Sequence, residues 1–223
     1  MHVSHMRTAF IAINGILTNP GDADGWTDRF CTWVNCHLPD GVKAEKFEYA
    51  TDVLFRRVKQ RERADSIAKM VGYYRRALFR IVLIGHSNGA DLIARVMQAS
   101  GQDVDAVHLF APAADDEDFA DAIREGLVHR VHIYGSKNDK ELQFARKTRP
   151  LINWLGLGYG SLGLRGKEFA AQFPHTVKDH SNDSYGHSTW FQRGAIFEDT
   201  MRLMAANDKA DQGFDEQPPT TKL

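Results

Sequence analysis

The sequence predicts an α/β sandwich of three layers, with a mainly parallel central sheet and helices on both of its faces. Three observations predict it. Short apolar runs alternate with amphipathic stretches through most of the chain, as in repeated strand–helix units. Several of these runs are apolar almost throughout, as strands buried on both faces are. One run, Ile81-Val82-Leu83-Ile84, leads directly into Gly85-His86-Ser87-Asn88-Gly89 and then into a helical pattern, which seats the serine on a strand-to-helix turn. The 223 residues suffice for one domain with a sizeable core. The expected division is an N-terminal extension over residues 1–7, one domain over 8–206, and a disordered polar tail over 207–223 that carries Pro218-Pro219.

Thr8 to Ile13 reads as the first buried strand, ending at Asn14-Gly15-Ile16 and a polar loop with Pro20 and Gly21. Trp26, Phe30 and Trp33 follow at i, i+4, i+7, the core face of a helix. Cys31 and Cys36, five apart on that helix, fall on different faces, so they are expected to be free thiols. Leu38-Pro39-Asp40-Gly41 is a turn, and the more polar run Lys43 to Tyr49 suits an edge strand. Phe55 to Arg63 is dense in charge and reads as a solvated face. Ile67, Val71 and Tyr74 mark a helix leading to the strand that opens at Arg80. Leu92, Ile93, Val96 and Met97 continue a helix that Gly101 can end. A strand at Asp105 to Phe110, a helix bearing Phe119, Ile123 and Leu127, and a strand at Arg130 to Tyr134 complete the regular alternation. A glycine-rich loop over 156–166, a short strand near Thr176 to Asp179 and a helix near Trp190 to Ala205 finish the chain. Little sequence separates the Phe110 strand from the Arg130 strand, so no large cap domain is expected there.

The formal net charge of -1 gives no electrostatic footprint for nucleic acid. No apolar run approaches the length of a membrane span, and residues 1–7 lack the apolar core of a secretory leader. Met6 could serve as the natural start. The expectation is a soluble cytoplasmic protein acting on a small molecule.

Functional residues of parallel sheets gather at the carboxyl ends of strands. Ser87 follows one strand. A serine hydroxyl is a weak nucleophile until a neighbouring base takes its proton, and that base needs an acid to fix its tautomer. Asp139 lies in the loop after the Arg130–Tyr134 strand, and His187 lies between Gly186 and Ser188 before the last helix. Asp115 and Asp116 are rivals for the acid; His175 and His180 are rivals for the base. Asp139 and His187 are preferred for the strand end the aspartate follows and for the chain order Ser, Asp, His. His86 is expected to pack or hydrogen-bond behind the serine rather than react.

These segments resemble a small α/β-hydrolase of the lipase/esterase type. Ile13-Asn14-Gly15-Ile16, Gly85-His86-Ser87-Asn88-Gly89-Ala90 and Tyr134-Gly135-Ser136-Lys137-Asn138-Asp139 carry the resemblance. The third is similar to the loop of some bacterial and phage hydrolases in which the aspartate is the triad acid. The resemblance implies an oxyanion hole built from the backbone N–H groups of Ile16 and Asn88, with Asn14 standing where histidine is commoner. It implies cleavage of carboxylic esters through an acyl-enzyme on Ser87, with thioesterase, amidase or acyltransferase chemistry on the same triad as alternatives. A non-catalytic binding protein of the same fold is the alternative from another class. Neither a cofactor nor a metal is called for. Trp154, Leu157, Tyr159 and Leu162 in the glycine-rich region are candidates to touch a lipid-like acyl chain, either from a mobile loop or from one packed on the body. Gly158-Tyr159-Gly160-Ser161-Leu162-Gly163 also matches a dinucleotide fingerprint, but no clear strand precedes it and no clear helix follows.

Overall fold

The computed structural model describes residues 7–15, 25–49, 59–153 and 160–215. Its six strands are β1 (Thr8–Ile13), β2 (Lys43–Phe47), β3 (Arg80–His86), β4 (Val104–Phe110), β5 (Val128–Tyr134) and β6 (Val177–Asp179), all parallel in the order β2-β1-β3-β4-β5-β6. The helices are α1 (Trp26–His37), α2 (Gln60–Arg76), α3 (Asn88–Ser100), α4 (Asp116–Arg124), α5 (Lys140–Asn153), α6 (Gly166–Gln172) and α7 (Ala195–Asp215). The chain steps outward from β1 to β2 and then continues from β3 on the other side of β1. The switch point where ligands enter such sheets therefore lies between β1 and β3.

The period-two alternation of the central strands divides the core in two. Ile11, Ile13, Ile81, Leu83, Val107, Leu109, Val131 and Ile133 face one side, packed against buried side chains of α2, α3 and α4. Phe10, Ala12, Val82, Ile84, Ala106, Phe110 and Tyr134 face the other, covered by Trp26, Phe30 and Trp33 of α1 and by Phe197, Met201 and Met204 of α7. The i, i+4, i+7 aromatic stripe is thus core. Cys31 and Cys36 are free, and burial pushes the Cys31 thiol up to about 11. No described helix is long and apolar enough to cross a membrane.

Five stretches depart from the sequence reading, the first being α6, which follows the glycine-rich stretch where no clear helix was expected. Helix α5 was not expected, because only Leu142 among its described side chains is fully buried and Phe144 is exposed. Helix α4 ends at Arg124, ahead of Leu127, where Gly126 takes a φ of 71°. The last helix starts at Ala195, after a 3₁₀ turn over Thr189–Phe191, and runs to Asp215. The tail expected from residue 207 is therefore helix as far as 215, with Asp208 and Asp211 buried, and residues 216–223 lie outside the described residues.

Those aspartates meet a polar seam on the α7 face of the sheet. Asp208 pairs with Arg80 of β3. Asp211 Oδ2 lies 2.7 Å from His132 Nε2, and its Oδ1 accepts from Lys178 Nζ at 2.9 Å, with Arg130 Nε at 3.9 Å. His108 and His132, register partners on β4 and β5, stack with centroids 4.5 Å apart, and His180 stacks on His132 at 5.3 Å. Burial, then His132 and Lys178 close by, lowers His180 to about 4, and burial likewise lowers His108. Histidines depressed in the fold bind fewer protons than in the unfolded chain, so acid favours unfolding. Stability is expected to be full above the ordinary histidine value of 6.5 and to fall as pH drops toward about 4, read from urea midpoints across that range. A flat profile there would show that the seam does not titrate in this way.

Candidate active site

The turn after β3 dictates the site. Ser87 holds a φ of 54° and ψ of -121°, a conformation that side chains rarely adopt and that persists only when its surroundings enforce it. The flanking glycines are required by contact. A Cβ on Gly85 would stand 2.8 Å from Ile93 Cδ1 and 2.9 Å from Ala90 N; one on Gly89 would stand 2.5 Å from Ile13 O. Helix α3 therefore packs directly on the end of β1. Phe110 O accepts from Ser87 N at 2.9 Å, and Ser87 O accepts from Ala113 N at 3.1 Å, which ties the turn to the end of β4. Asn88 opens α3, so the positive end of that helix lies beside the serine.

The structure brings Ser87, His187 and Asp139 together across three strand ends. His187 Nε2 lies 2.9 Å from Ser87 Oγ, and His187 Nδ1 lies 2.7 Å from Asp139 Oδ2. Asp139 is 1% exposed, and its Oδ1 accepts from Leu142 N at 2.9 Å, so the same carboxylate caps α5. With the carboxylate accepting from Nδ1–H, Nε2 faces Ser87 as an acceptor. The rivals stand elsewhere. Asp115 precedes α4, Asp116 pairs with Arg165 at 2.5 Å, and His180 Nε2 contacts His132 Nδ1 at 3.0 Å.

A second tie holds the Asp139 loop and the segment leading to His187 together. Asp183 Oδ1 accepts from Lys137 N at 2.9 Å, and Asp183 O accepts from Asn138 Nδ2 at 2.7 Å. Sequence spacing offers no sign of this contact across 46 residues. The nearest signal is Asn182, whose Oδ1 accepts from Ser184 N at 3.0 Å as an Asx turn does.

Ile16, Trp154, Leu157 and Tyr159 lie outside the described residues. Gly15, just before Ile16, is against Ser87: a Cβ there would be 3.1 Å from Ser87 Cβ. Leu162, a candidate to touch substrate, is placed in the core at 0% exposure, its N–H donating to Ala114 O at 3.2 Å. The described part of the glycine-rich stretch is not a free loop. A Cβ on Gly163 would stand 2.7 Å from Leu142 Cδ1, and one on Gly160 would overlap the Ala114 carbonyl. Its glycines permit close approach to the loop after β4. A helix, α6, does follow it, but the element described ahead of it is helix α5 and not the strand that a dinucleotide fingerprint requires.

Known structures with this architecture extend over nearly the whole chain. A "predicted CIB-like hydrolase" from Thermoplasma acidophilum superposes with a TM-score of 0.58 at 15% identity, covering 93% of this chain and 88% of its own. The chain has the α/β-hydrolase fold. A protein of Xanthomonas campestris assigned to the α/β superfamily of hydrolases gives a TM-score of 0.52 at 19% identity, over 92% and 99% of the two chains. Esterase B from Lactobacillus rhamnosis, inhibited by a tributyrin phosphonate, gives 0.51 at 13% identity, over 95% and 78%. The sequence matches no family model and no curated protein. In this α/β-hydrolase fold Ser87 directly follows β3, Asp139 lies in the loop after β5, and His187 lies in the segment after β6.

Proposed function

We propose that the protein is a serine hydrolase of carboxylic esters. The observation that carries this reading is the unbroken line from Asp139 Oδ2 through His187 to Ser87 Oγ, at 2.7 and 2.9 Å, on a serine held at positive φ beside a helix N-terminus. His187 Nε2 takes the Ser87 proton as Oγ attacks the ester carbonyl, and Asp139 stabilises the imidazolium that forms. The negative charge that develops on the carbonyl oxygen faces the Asn88 N–H and the positive end of α3, with Ile16 as the second donor expected from the resemblance. His187 then gives its proton to the leaving alcohol. Water, deprotonated by the same imidazole, releases the acid from Ser87. Esterase B, a similar fold that is inhibited by a phosphonate, supports the choice of acyl transfer over a binding role.

A fluorophosphonate probe tests the reading, because only an activated serine displaces its leaving group. Mass analysis is expected to place one adduct on Ser87, with turnover of short p-nitrophenyl esters lost in step with labelling. An unlabelled Ser87 in folded protein would falsify the proposal. A panel of matched esters, thioesters and amides then ranks the acyl groups.

A further inference from the structure

We propose that His86 is a positioning residue: by donating from Nε2 to the backbone carbonyl of His187, it sets where the base stands relative to Ser87 Oγ. The proposal rests on the reading of Ser87 and His187 as nucleophile and base. His86 is the last residue of β3, one position before the nucleophile, and is buried. Its Nε2 lies 3.1 Å from His187 O, and the two rings are 5.1 Å apart at 49°. Phe191, just past the base, meets the His86 ring edge-on at 5.3 Å, and Trp26 of α1 meets it at 6.3 Å. Trp26 and Phe191 stack on each other at 4.2 Å. The imidazole is therefore gripped from both the α1 side and the base loop.

The chemistry of the contact fixes the ring's protons. A carbonyl oxygen only accepts, so Nε2 carries the hydrogen. Burial first, and then the neighbouring His187, lower the His86 pKa to about 3, so the ring is neutral and its Nδ1 bears a lone pair. That Nδ1 faces the exit of β1, where a Cβ on Gly15 would be 3.5 Å away. One side chain thus spans the base loop and the β1 exit, while its own backbone leads into the nucleophile. A residue that merely filled this space would need no nitrogen. Burying a polar ring costs free energy, and Nδ1 has no hydrogen-bond partner among the described residues. The donated bond to His187 O is what a hydrocarbon of similar bulk could not supply.

The experiment compares His86→Leu, which keeps apolar contact and removes the donor, with His86→Gln, which keeps a donor of similar reach. It reads kcat and KM on p-nitrophenyl butyrate, the rate of fluorophosphonate labelling, Tm, and the low-field proton resonance of His187 Nδ1–H. His86→Leu is expected to lower kcat and labelling rate about 10²-fold, the penalty typical of a misplacement on the order of 1 Å. KM should change less than about threefold, since the lost interaction serves the transition state. The resonance should shift or broaden in His86→Leu and persist in His86→Gln, whose kcat should return to within about tenfold of the parent. A folded His86→Leu that labels at the parent rate overturns the proposal. So do Leu and Gln variants impaired equally. Should His86→Leu fail to fold, His86→Asn takes its place: its shorter amide cannot reach the carbonyl, and activity equal to the Gln variant's overturns the proposal. If the parent neither labels nor turns over esters, the hydrolase reading fails instead. The resonance in the His86 variants still reports whether His86 positions His187.

Discussion

Asp139→Asn is expected to lower ester turnover about 10⁴-fold while leaving folding stability nearly unchanged. The two oxygens of this carboxylate have separate tasks: Oδ2 meets His187 Nδ1 at 2.7 Å, and Oδ1 caps α5 by accepting from Leu142 N at 2.9 Å. An asparagine keeps the cap with its own oxygen and must then turn its NH₂ toward His187. Two donors cannot face each other, so Nδ1 gives up its hydrogen and Nε2 takes it. The nitrogen facing Ser87 is then a donor and cannot accept the Oγ proton. Asp139→Ala separates the two tasks. It should lose turnover comparably and also lose about 1 kcal/mol with the cap. Steady-state ester hydrolysis and urea denaturation of both variants check the pair of outcomes. An asparagine variant working at the parent rate would remove Asp139 from the reaction.

What could be read from the sequence at this site was what local backbone chemistry dictates. The elbow was legible because its requirements are contiguous: an apolar strand, a serine at positive φ, and glycines where α3 touches the end of β1 at distances no Cβ allows. The central strands β1 and β3 were legible because each is an apolar run buried on both faces. Helix α5 was not, because it buries little of its own surface and begins on a cap whose residue is also the candidate acid. The contacts of Asp183 with Lys137 and Asn138, and of His86 with the His187 carbonyl 101 positions later, were not legible either. No spacing rule encodes which loop a folded sheet brings against another. The second half of α7 was misread for a related reason. Asp208 and Asp211 look solvated by composition, and they are buried because the sheet supplies partners; Asn207, half-buried beside them, donates to Tyr134 Oη.

Those partners make the last expected result large. Arg80→Met or Asp208→Leu alone should cost about 3–5 kcal/mol, because each leaves the other charge buried without its counterion. Both side chains are almost inaccessible, at 1% and 5% exposure, and Arg80 Nη1 donates directly to Asp208 Oδ1. The pair itself is not a strong net contributor. Burial pushes the Asp208 carboxyl up from its ordinary value in spite of the Arg80 guanidinium beside it. For a buried pair of this kind the cost of desolvating both charges offsets most of their attraction. Arg80→Met with Asp208→Leu should in consequence recover most of the single-variant loss, since a well-packed apolar pair carries no such cost. A double-mutant cycle by urea denaturation measures this, and additive losses would show that the two charges do not depend on each other. The expected non-additivity has a structural consequence. Val82 and Ile84 on the same face of β3 would let α7 dock as grease in any rotation, whereas an arginine one turn of the pleat away accepts only the rotation that brings Asp208 over it. On this account the pair contributes orientation more than stability: the double variant should keep its Tm and lose protection of the α7 amides against hydrogen exchange.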